Sequence, residues 1–490
     1  MAYECSQRTL GVWGTPFDAA VVGSGPNGLA AAITLARAGK SVVVLEANDT
    51  IGGGVRSAEL LEPGVVHDLA SAVQPLAMAS PFFSEVAPDL ERHGLRWIVP
   101  GAAAAHPLDD GRAGIAWNDL DATADGLGVD GPAYRRFYDQ WVENFEDVVE
   151  IAMNPPSTQF PKRPLFAARF GAYAALPATT LAKRLWETPE ARALFAGHVG
   201  HSILPLTAPF TSAVGILFGS MVHSVGWGFP EGGAQKLTDA MVSYLKELGG
   251  EVRAGHRVES LTDIPEARAT VFSLTSRQVD AIATDHFDRR FRAQLQRWKY
   301  GPGAWKVDFV LDAPIPWSNP EVAHAGTVHV GGTIEEVNRS ETEVTNGRLS
   351  DTPFVLLSQP TNFDQSRAPK GRHVAWAYCH VPNGSTVDQT PAIEAQIERF
   401  APGFRDTIRG RFVTSPHDLE VQNANLIGGD IGGGSYAGSQ LFFRPRKHPR
   451  PHDTPDPSIF MGSASTTPGA GVHGMGGHRA ALRALQTALR

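Results

Sequence analysis

Gly23, Gly25 and Gly28 stand in the run Gly23-Ser24-Gly25-Pro26-Asn27-Gly28, the spacing G-x-G-x-x-G. Each glycine suits one demand of a bound pyrophosphate. Gly23 lets the chain turn sharply, Gly25 lets a phosphate approach bare backbone, and Gly28 lets a helix pack closely on a sheet. Glu46 follows about 20 residues further on, where a carboxylate can take both hydroxyls of an adenosine ribose. That chemistry needs particular elements around it. The apolar run 19–22 predicts a strand, the small residues of 29–38 a helix with Gly39 as its C-cap, and 41–45 a second strand ending at Glu46. The helix N-terminus would offer unpaired N–H groups and about half a positive charge to the phosphates. Strand, turn, helix, strand and acid in this order predict a dinucleotide site.

A second glycine cluster, Gly52-Gly53-Gly54, follows the acid and leads into Arg56. It offers another close approach of backbone to a cofactor, with Arg56 free to neutralise pyrophosphate charge. In this position it resembles the FAD-binding extension of glutathione-reductase-like flavoproteins. A third cluster, 469–477, follows a predicted strand over 458–462 and a polar loop over 463–468, and runs into a predicted helix over 478–489. Backbone N–H groups at such a helix start can stabilise negative charge on a reduced flavin ring. His473 lies within it and is the candidate for proton transfer, because an unperturbed imidazole titrates near neutral pH. The alternative is that His473 stacks on a flavin or hydrogen-bonds to it. His198, His201 and His223 suggest a metal, but no carboxylate or cysteine joins them, and hydrogen-bonded structural roles are expected. His67-Asp68 reads as a turn that caps the next helix, with direct catalysis as the alternative.

The 490 residues suffice for two or three domains with a large core. With 42% hydrophobic and 19% charged residues an ordered chain is expected, and a net charge of -8 argues against a general nucleic-acid binder. The two cysteines, Cys5 and Cys379, form neither a C-x-x-C motif nor a disulfide framework, which argues against a dithiol reductase. Residues 1–16 read as a tail. They carry no basic-then-apolar leader, so a cytoplasmic location is expected.

Between the glycine clusters the pattern changes several times. Residues 133–153 have helical spacing, with Tyr134, Phe137, Tyr138, Trp141, Phe145 and Val148 on one face, which reads as core or as the lining of an apolar pocket. From Ala193 to Pro230 there is no Asp, Glu, Lys or Arg. Pro205, Pro209, Gly215 and Gly219 argue against a simple membrane span. A buried helical pair, the wall of an apolar tunnel and a surface dipping into a membrane all remain open. After Gly232-Gly233 a helix from Gln235 and short strands near 251–258 and 270–274 suggest a return to the first domain. Alternation over 305–311 predicts a half-exposed antiparallel strand, with Lys306 and Asp308 facing solvent. Strands near 328–330 and 373–378 and a helix over 391–400 complete a second, sheet-plus-helix domain.

Together these motifs resemble the phytoene-desaturase-like flavoproteins over most of the chain, in matching order. The match comprises 22–29, 52–54, His67-Asp68, 226–233, 306–309 with Pro316-Trp317, and 468–474. The resemblance implies an α/β fold: a glutathione-reductase-like FAD-binding Rossmann domain with an interleaved α+β substrate domain. The FAD-binding domain is expected at 17–110, 226–300 and 421–490, and the substrate domain at 111–225 and 301–420. It implies that Gly23, Gly25 and Gly28, with Pro26 and Asn27 between them, hold the pyrophosphate and Glu46 the adenosine ribose. Gly53, Gly54 and Arg56 would line the pyrophosphate and ribityl chain, and Val258 would meet the adenine. Gly462, Ser463, Gly471, Val472 and Met475 would pack along the ribityl chain and flavin. Gly54 stands where many desaturases carry Arg, and His473 where carotenoid desaturases carry an apolar residue. The activity implied is an FAD-dependent dehydrogenase or desaturase acting on an apolar or amphipathic, isoprenoid- or lipid-like substrate. Oxygen or a quinone would be the electron acceptor, and peripheral contact with the inner membrane is allowed. A flavin-dependent isomerase or ketolase, an amine oxidase and a non-catalytic lipid-binding protein are the alternatives. No metal site is expected.

Overall fold

Five strands form an all-parallel sheet, and a computed structural model describes them within residues 16–154 and 160–490. Of the tail read over 1–16, residues 1–15, with Cys5, lie outside the described residues. Across the sheet the order is Ile459–Met461, Ala267–Phe272, Phe17–Val22, Val42–Leu45, Glu251–Arg253. In chain order that is 5-4-1-2-3, the doubly wound arrangement, with its switch point beside the Phe17–Val22 strand. The Val42–Leu45 strand is Val-Val-Val-Leu and buried throughout, as a parallel strand covered on both faces requires. The helix after the glycine turn begins earlier than the spacing suggests. It spans Pro26–Arg37, because proline is well placed at the first helical position, where its missing N–H has no partner to lose. The Gln235–Glu247 helix packs beside it, and Glu251–Arg253 pairs with Val42–Leu45, so the chain does return to this domain.

The second sheet has seven strands, ordered Ile408–Thr414, Gly303–Leu311, His373–Val381, Val355–Ser358, Ala325–Val330, Ala102–Pro107, Ala113–Trp117. All its pairings are antiparallel except that of Ala325–Val330 with Ala102–Pro107. Ala102–Pro107 therefore belongs to this sheet, although the sequence reading groups residues up to 110 with the first domain. On one face, Trp305, Val307, Phe309 and Leu311 pack with Ile393, Ile397 and Phe400 of the Thr390–Phe400 helix. The other face is also buried. Lys306 is 2% exposed and Asp308 0%, and the two form an ion pair, so the expectation that they face solvent is corrected. Alternation correctly separated two faces, but the face taken for a wet one is covered by the rest of the molecule.

The stripe expected on one helix over 133–153 lies on two, Gly131–Val142 and Phe145–Met153, separated at Glu143 and Asn144. Tyr134, Phe137, Tyr138 and Trp141 are core. They back the charge-free Thr211–Ser224 helix, where a methyl group on Gly219 would lie 2.4 Å from the Tyr138 hydroxyl oxygen. Among the described residues no helix is long and apolar enough to cross a membrane.

One buried ion pair joins the two sheets' regions. Asp68 ends the short Val66–Asp68 strand and pairs with Arg367; their side chains are 2% and 1% exposed. Asp68 Oδ1 also accepts from Ser57 Oγ at 2.7 Å and from Ala234 N at 2.8 Å. Asp68 thus satisfies an N–H just before the Gln235–Glu247 helix rather than capping the helix that follows it in sequence. Removing one partner strands the other charge in the interior. Arg367→Met is expected to lower the unfolding free energy by about 3–5 kcal/mol in urea titration.

Candidate functional site

A cavity of about 590 Å³ opens at the carboxyl ends of the Phe17–Val22 and Val42–Leu45 strands, whose last residues Val22 and Leu45 line it. This is the crevice where open α/β sheets bind ligands. Gly23, Gly25, Pro26 and Asn27 form one wall, with Gly23 at φ +96° in the turn out of the strand. Gly53 and Gly54 face them, and a methyl group on Gly53 would stand 2.9 Å from the Gly25 Cα. The two glycine turns therefore meet backbone to backbone and leave a narrow slot lined by peptide groups. Glu46 and Val258 lie at one end of it, and Ser463, Gly471, Val472 and His473 line it from the C-terminal segment.

Gly28, Arg56, Gly462 and Met475, also expected at the cofactor, do not line the cavity. A methyl group on Gly28 would lie 1.8 Å from the Gly23 carbonyl oxygen, and one on Gly462 2.9 Å from Ala480 Cβ. Both permit close helix–strand packing behind the slot. Arg56 is not free for phosphate. Its Nε donates to Gly53 O at 2.8 Å, Nη1 to Thr50 Oγ1 at 2.9 Å and Nη2 to Gln422 O at 2.8 Å. It ties the second glycine turn in place. Burial lowers its pKa, against the opposing field of Glu46.

Glu46 is fully engaged. Oε2 accepts from Ser24 N at 3.0 Å and Ser24 Oγ at 2.5 Å; Oε1 accepts from Asn48 N at 2.9 Å and Asn48 Nδ2 at 3.1 Å. A carboxylate has about four acceptor positions, so a sugar hydroxyl must displace one of these donors. The Asn48 side-chain amide is the one that can turn aside.

His473 has no free ring nitrogen. Its Nδ1 accepts from Met475 N at 3.1 Å, and its Nε2 donates to Gly469 O at 3.2 Å. Burial pushes its pKa down to about 4, although the bond to Gly469 opposes this. The ring closes the glycine-dense loop on itself, and Ser80 Oγ holds its carbonyl at 2.6 Å.

Beyond the slot the cavity widens into a chamber of different character. Val214, Leu217 and Phe218 of the Thr211–Ser224 helix line one side, with Trp227 beside them. The second sheet forms the opposite side, where Lys306, Tyr378 and Leu356 sit side by side in register. Sequence reading turned Lys306 toward solvent and gave Leu356 and Tyr378 no site role, because only the tertiary fold turns that face inward. Burial lowers the Lys306 pKa against the attraction of Asp308. The charge-free segment is thus core on one side and cavity wall on the other. His223 has the expected hydrogen-bonded role, 3.0 Å from Tyr134 Oη, whereas neither ring nitrogen of His198 has a hydrogen-bond partner. Among the described residues no cluster of His, Cys, Asp or Glu is suited to a metal ion.

The slot fits a dinucleotide: bare backbone on two sides, a helix N-terminus at Pro26 and an acid beyond. Residues 21–77 match the family described as NAD(P)-binding Rossmann-like domain. The chain is 24% identical to rat (Rattus norvegicus) pyridine nucleotide-disulfide oxidoreductase domain-containing protein 2, over 95% of this chain and 92% of that protein. It is 24% identical to a lycopene-forming phytoene desaturase of Paracoccus sp., over 94% and 95% of the two chains. An oxidoreductase from Methanosarcina mazei has the same fold, with TM-score 0.62 and 14% identity over 96% of this chain and 99% of that one. The chain is similar to that phytoene desaturase along nearly its whole length, in keeping with the resemblance of its motifs. Gly28→Ala is expected to force the Pro26–Arg37 helix off the sheet. It should cost about 1–3 kcal/mol in thermal unfolding and reduce the dinucleotide retained on purification.

Proposed function

We propose that the protein is an FAD-dependent oxidoreductase of the dehydrogenase or desaturase type, acting on an apolar or amphipathic, isoprenoid- or lipid-like substrate. The observation that carries this reading is continuity: one cavity runs from a peptide-lined slot into an apolar chamber. In this reading the first domain is of the glutathione-reductase-like FAD-binding type. Gly23, Gly25 and the N-terminus at Pro26 hold the pyrophosphate, and Gly53 and Gly54 approach it from the other side. Glu46 takes the adenosine ribose after Asn48 turns away, and Val258 meets the adenine. Ser463, Gly471 and Val472 lie along the ribityl chain and ring, while Gly28, Arg56, Gly462 and Met475 shape the slot from behind. FAD, when bound, supplies the hydride acceptor that the chain's own side chains lack.

The protein's part is to bind, orient and exclude water. The apolar wall at Leu217, Phe218 and Trp227 desolvates the substrate. His473 shapes the loop beside the flavin rather than moving a proton, since both its ring nitrogens are committed to backbone. Reoxidation by oxygen or a quinone, a cytoplasmic location and peripheral contact with a membrane belong to this same proposal.

The purified protein is expected to show flavin absorption bands and to release FAD into the supernatant on heating. Anaerobic mixing with a true substrate should bleach those bands and give a product two mass units lighter, the loss of two hydrogens. Bands with a product of unchanged mass would favour the isomerase. No flavin and no affinity for added FAD would overturn the oxidoreductase reading in favour of a lipid-binding protein.

A further inference from the structure

Arg479 carries a partly buried charge that no carboxylate meets. It stands just past the first turn of the Met475–Gln486 helix, and Gly471, Val472 and His473, which lead into that helix, line the slot. Its Nη2 donates to the side-chain oxygen of Asn154, the residue that ends the Phe145–Met153 helix. Its Nη1 is shut off from solvent and has no hydrogen-bond partner. Ala152 and Met153, next to Asn154, line the cavity. The guanidinium therefore lies one layer behind the wall that Met153 and the His473 loop form.

Other arginines in the interior have an acid beside them. Arg367 pairs with Asp68, Arg56 feels the field of Glu46 and Arg444 that of Asp430. Among the described residues Arg479 is in no ion pair, and Asn154 is its hydrogen-bond partner. Two acids near its helix are already taken, Asp453 by Arg483 at 2.8 Å and Glu85 by Arg37 at 2.7 Å. The histidines around it carry no charge to offset. Burial pushes the pKa values of His473 and His452 down to about 4, and the charge on Arg479 lowers both further. Burial also pulls Arg479 itself down, to about 10, which leaves it charged at neutral pH. A cation so placed is unfavourable twice over. It is desolvated without a partner, and it stands near a helix N-terminus, where the dipole favours anions. The charge that would meet it lies on the other side of the wall.

We propose that Arg479 raises the reduction potential of a flavin bound in the slot, its uncompensated charge favouring the reduced, anionic ring over the oxidised, neutral one. The proposal rests on the reading of the slot as an FAD site. A substrate that loses two hydrogens gives one up as a hydride and the other as a proton released to solvent. The hydride brings two electrons and one proton to a neutral ring, which becomes singly negative. Arg479 touches neither flavin nor substrate and acts through its field alone. The field gains nothing from the oxidised ring, so it acts on the difference between the two states. Charges shut away from water are screened little by salt, so the effect persists at high ionic strength.

The test is the midpoint potential of the purified, flavin-containing protein, measured anaerobically against a reference dye during slow reduction. Arg479→Gln keeps a donor for Asn154 and removes the charge. Its reduction equilibrium is expected to fall at least about 10-fold, a drop of about 30 mV for a two-electron couple. Arg479→Lys keeps the charge and should stay within about 3-fold of the wild type. Asn154→Asp leaves Arg479 in place and gives it an anion, so it should lower the potential as Arg479→Gln does; it decides the question where Arg479→Gln does not fold. An unchanged potential in Arg479→Gln, an Arg479→Lys potential as low as that of Arg479→Gln, or an Asn154→Asp potential at or above the wild type would overturn the inference and leave the FAD reading standing. A wild type that holds no flavin and takes up none when FAD is added would overturn both.

Discussion

The contact on which the rest depends is a triple approach of backbones around Asn27. A methyl group on Gly28 would lie 1.8 Å from Gly23 O, and one on Gly477 1.7 Å from Asn27 O. No side chain fits at either point. The Pro26–Arg37 helix is therefore pressed against the first strand's turn on one side and against the Met475–Gln486 helix on the other. Asn27 Oδ1 accepts from Gly476 N at 3.1 Å and Gly477 N at 3.3 Å, joining residues about 450 apart in the chain. Interior packing tolerates little extra volume, so these glycines set the spacing of everything mounted on them. The slot exists because two chain ends close on one helix.

This explains which parts of the site were legible in the sequence. The glycine turns, Glu46 and the order of strand, helix and strand are local, and local spacing carries them. The C-terminal glycines were legible for the same reason. Arg56 was read for its charge, yet its guanidinium is spent on three acceptors that secure the second turn. An arginine near a predicted phosphate can serve the ligand or the loop, and only the geometry of its acceptors separates the two. Glu46 shows the milder case, a carboxylate at the slot that is already engaged with its neighbours.

The chamber was mostly illegible, and the reason is the second sheet. Alternation in Gly303–Leu311 marks two faces without saying what covers either. Polar residues at alternate positions normally mean water, and here Lys306 and Asp308 mean a lined interior. The charge-free run from Ala193 to Pro230 left core, tunnel and membrane open. A helix with one face on the aromatic core and another on a cavity satisfies the first two at once, and its composition is the same for both. The domain boundary suffers similarly: the Ala102–Pro107 strand joins the second sheet through pairing with residues more than 200 positions away.

The histidines sharpen the point. His473 attracted a chemical role because it stands in a glycine-dense motif, while His201 was read as structural in a featureless apolar stretch. The structure distributes their free nitrogens the other way. In a buried imidazole, chemical capacity depends less on proximity to a motif than on which lone pair remains after the backbone has been served. His473 gives one nitrogen to Met475 and the other to Gly469, and its loop is closed. His201 gives one nitrogen to His329, whose ring packs with that of His106 over Gly197, where a side chain would not fit. That dependence spans three segments far apart in sequence, so no window of residues contains it. The same close packing that makes the peptide-lined slot from glycine recurs at Gly197, where it brings histidines into contact instead of backbones.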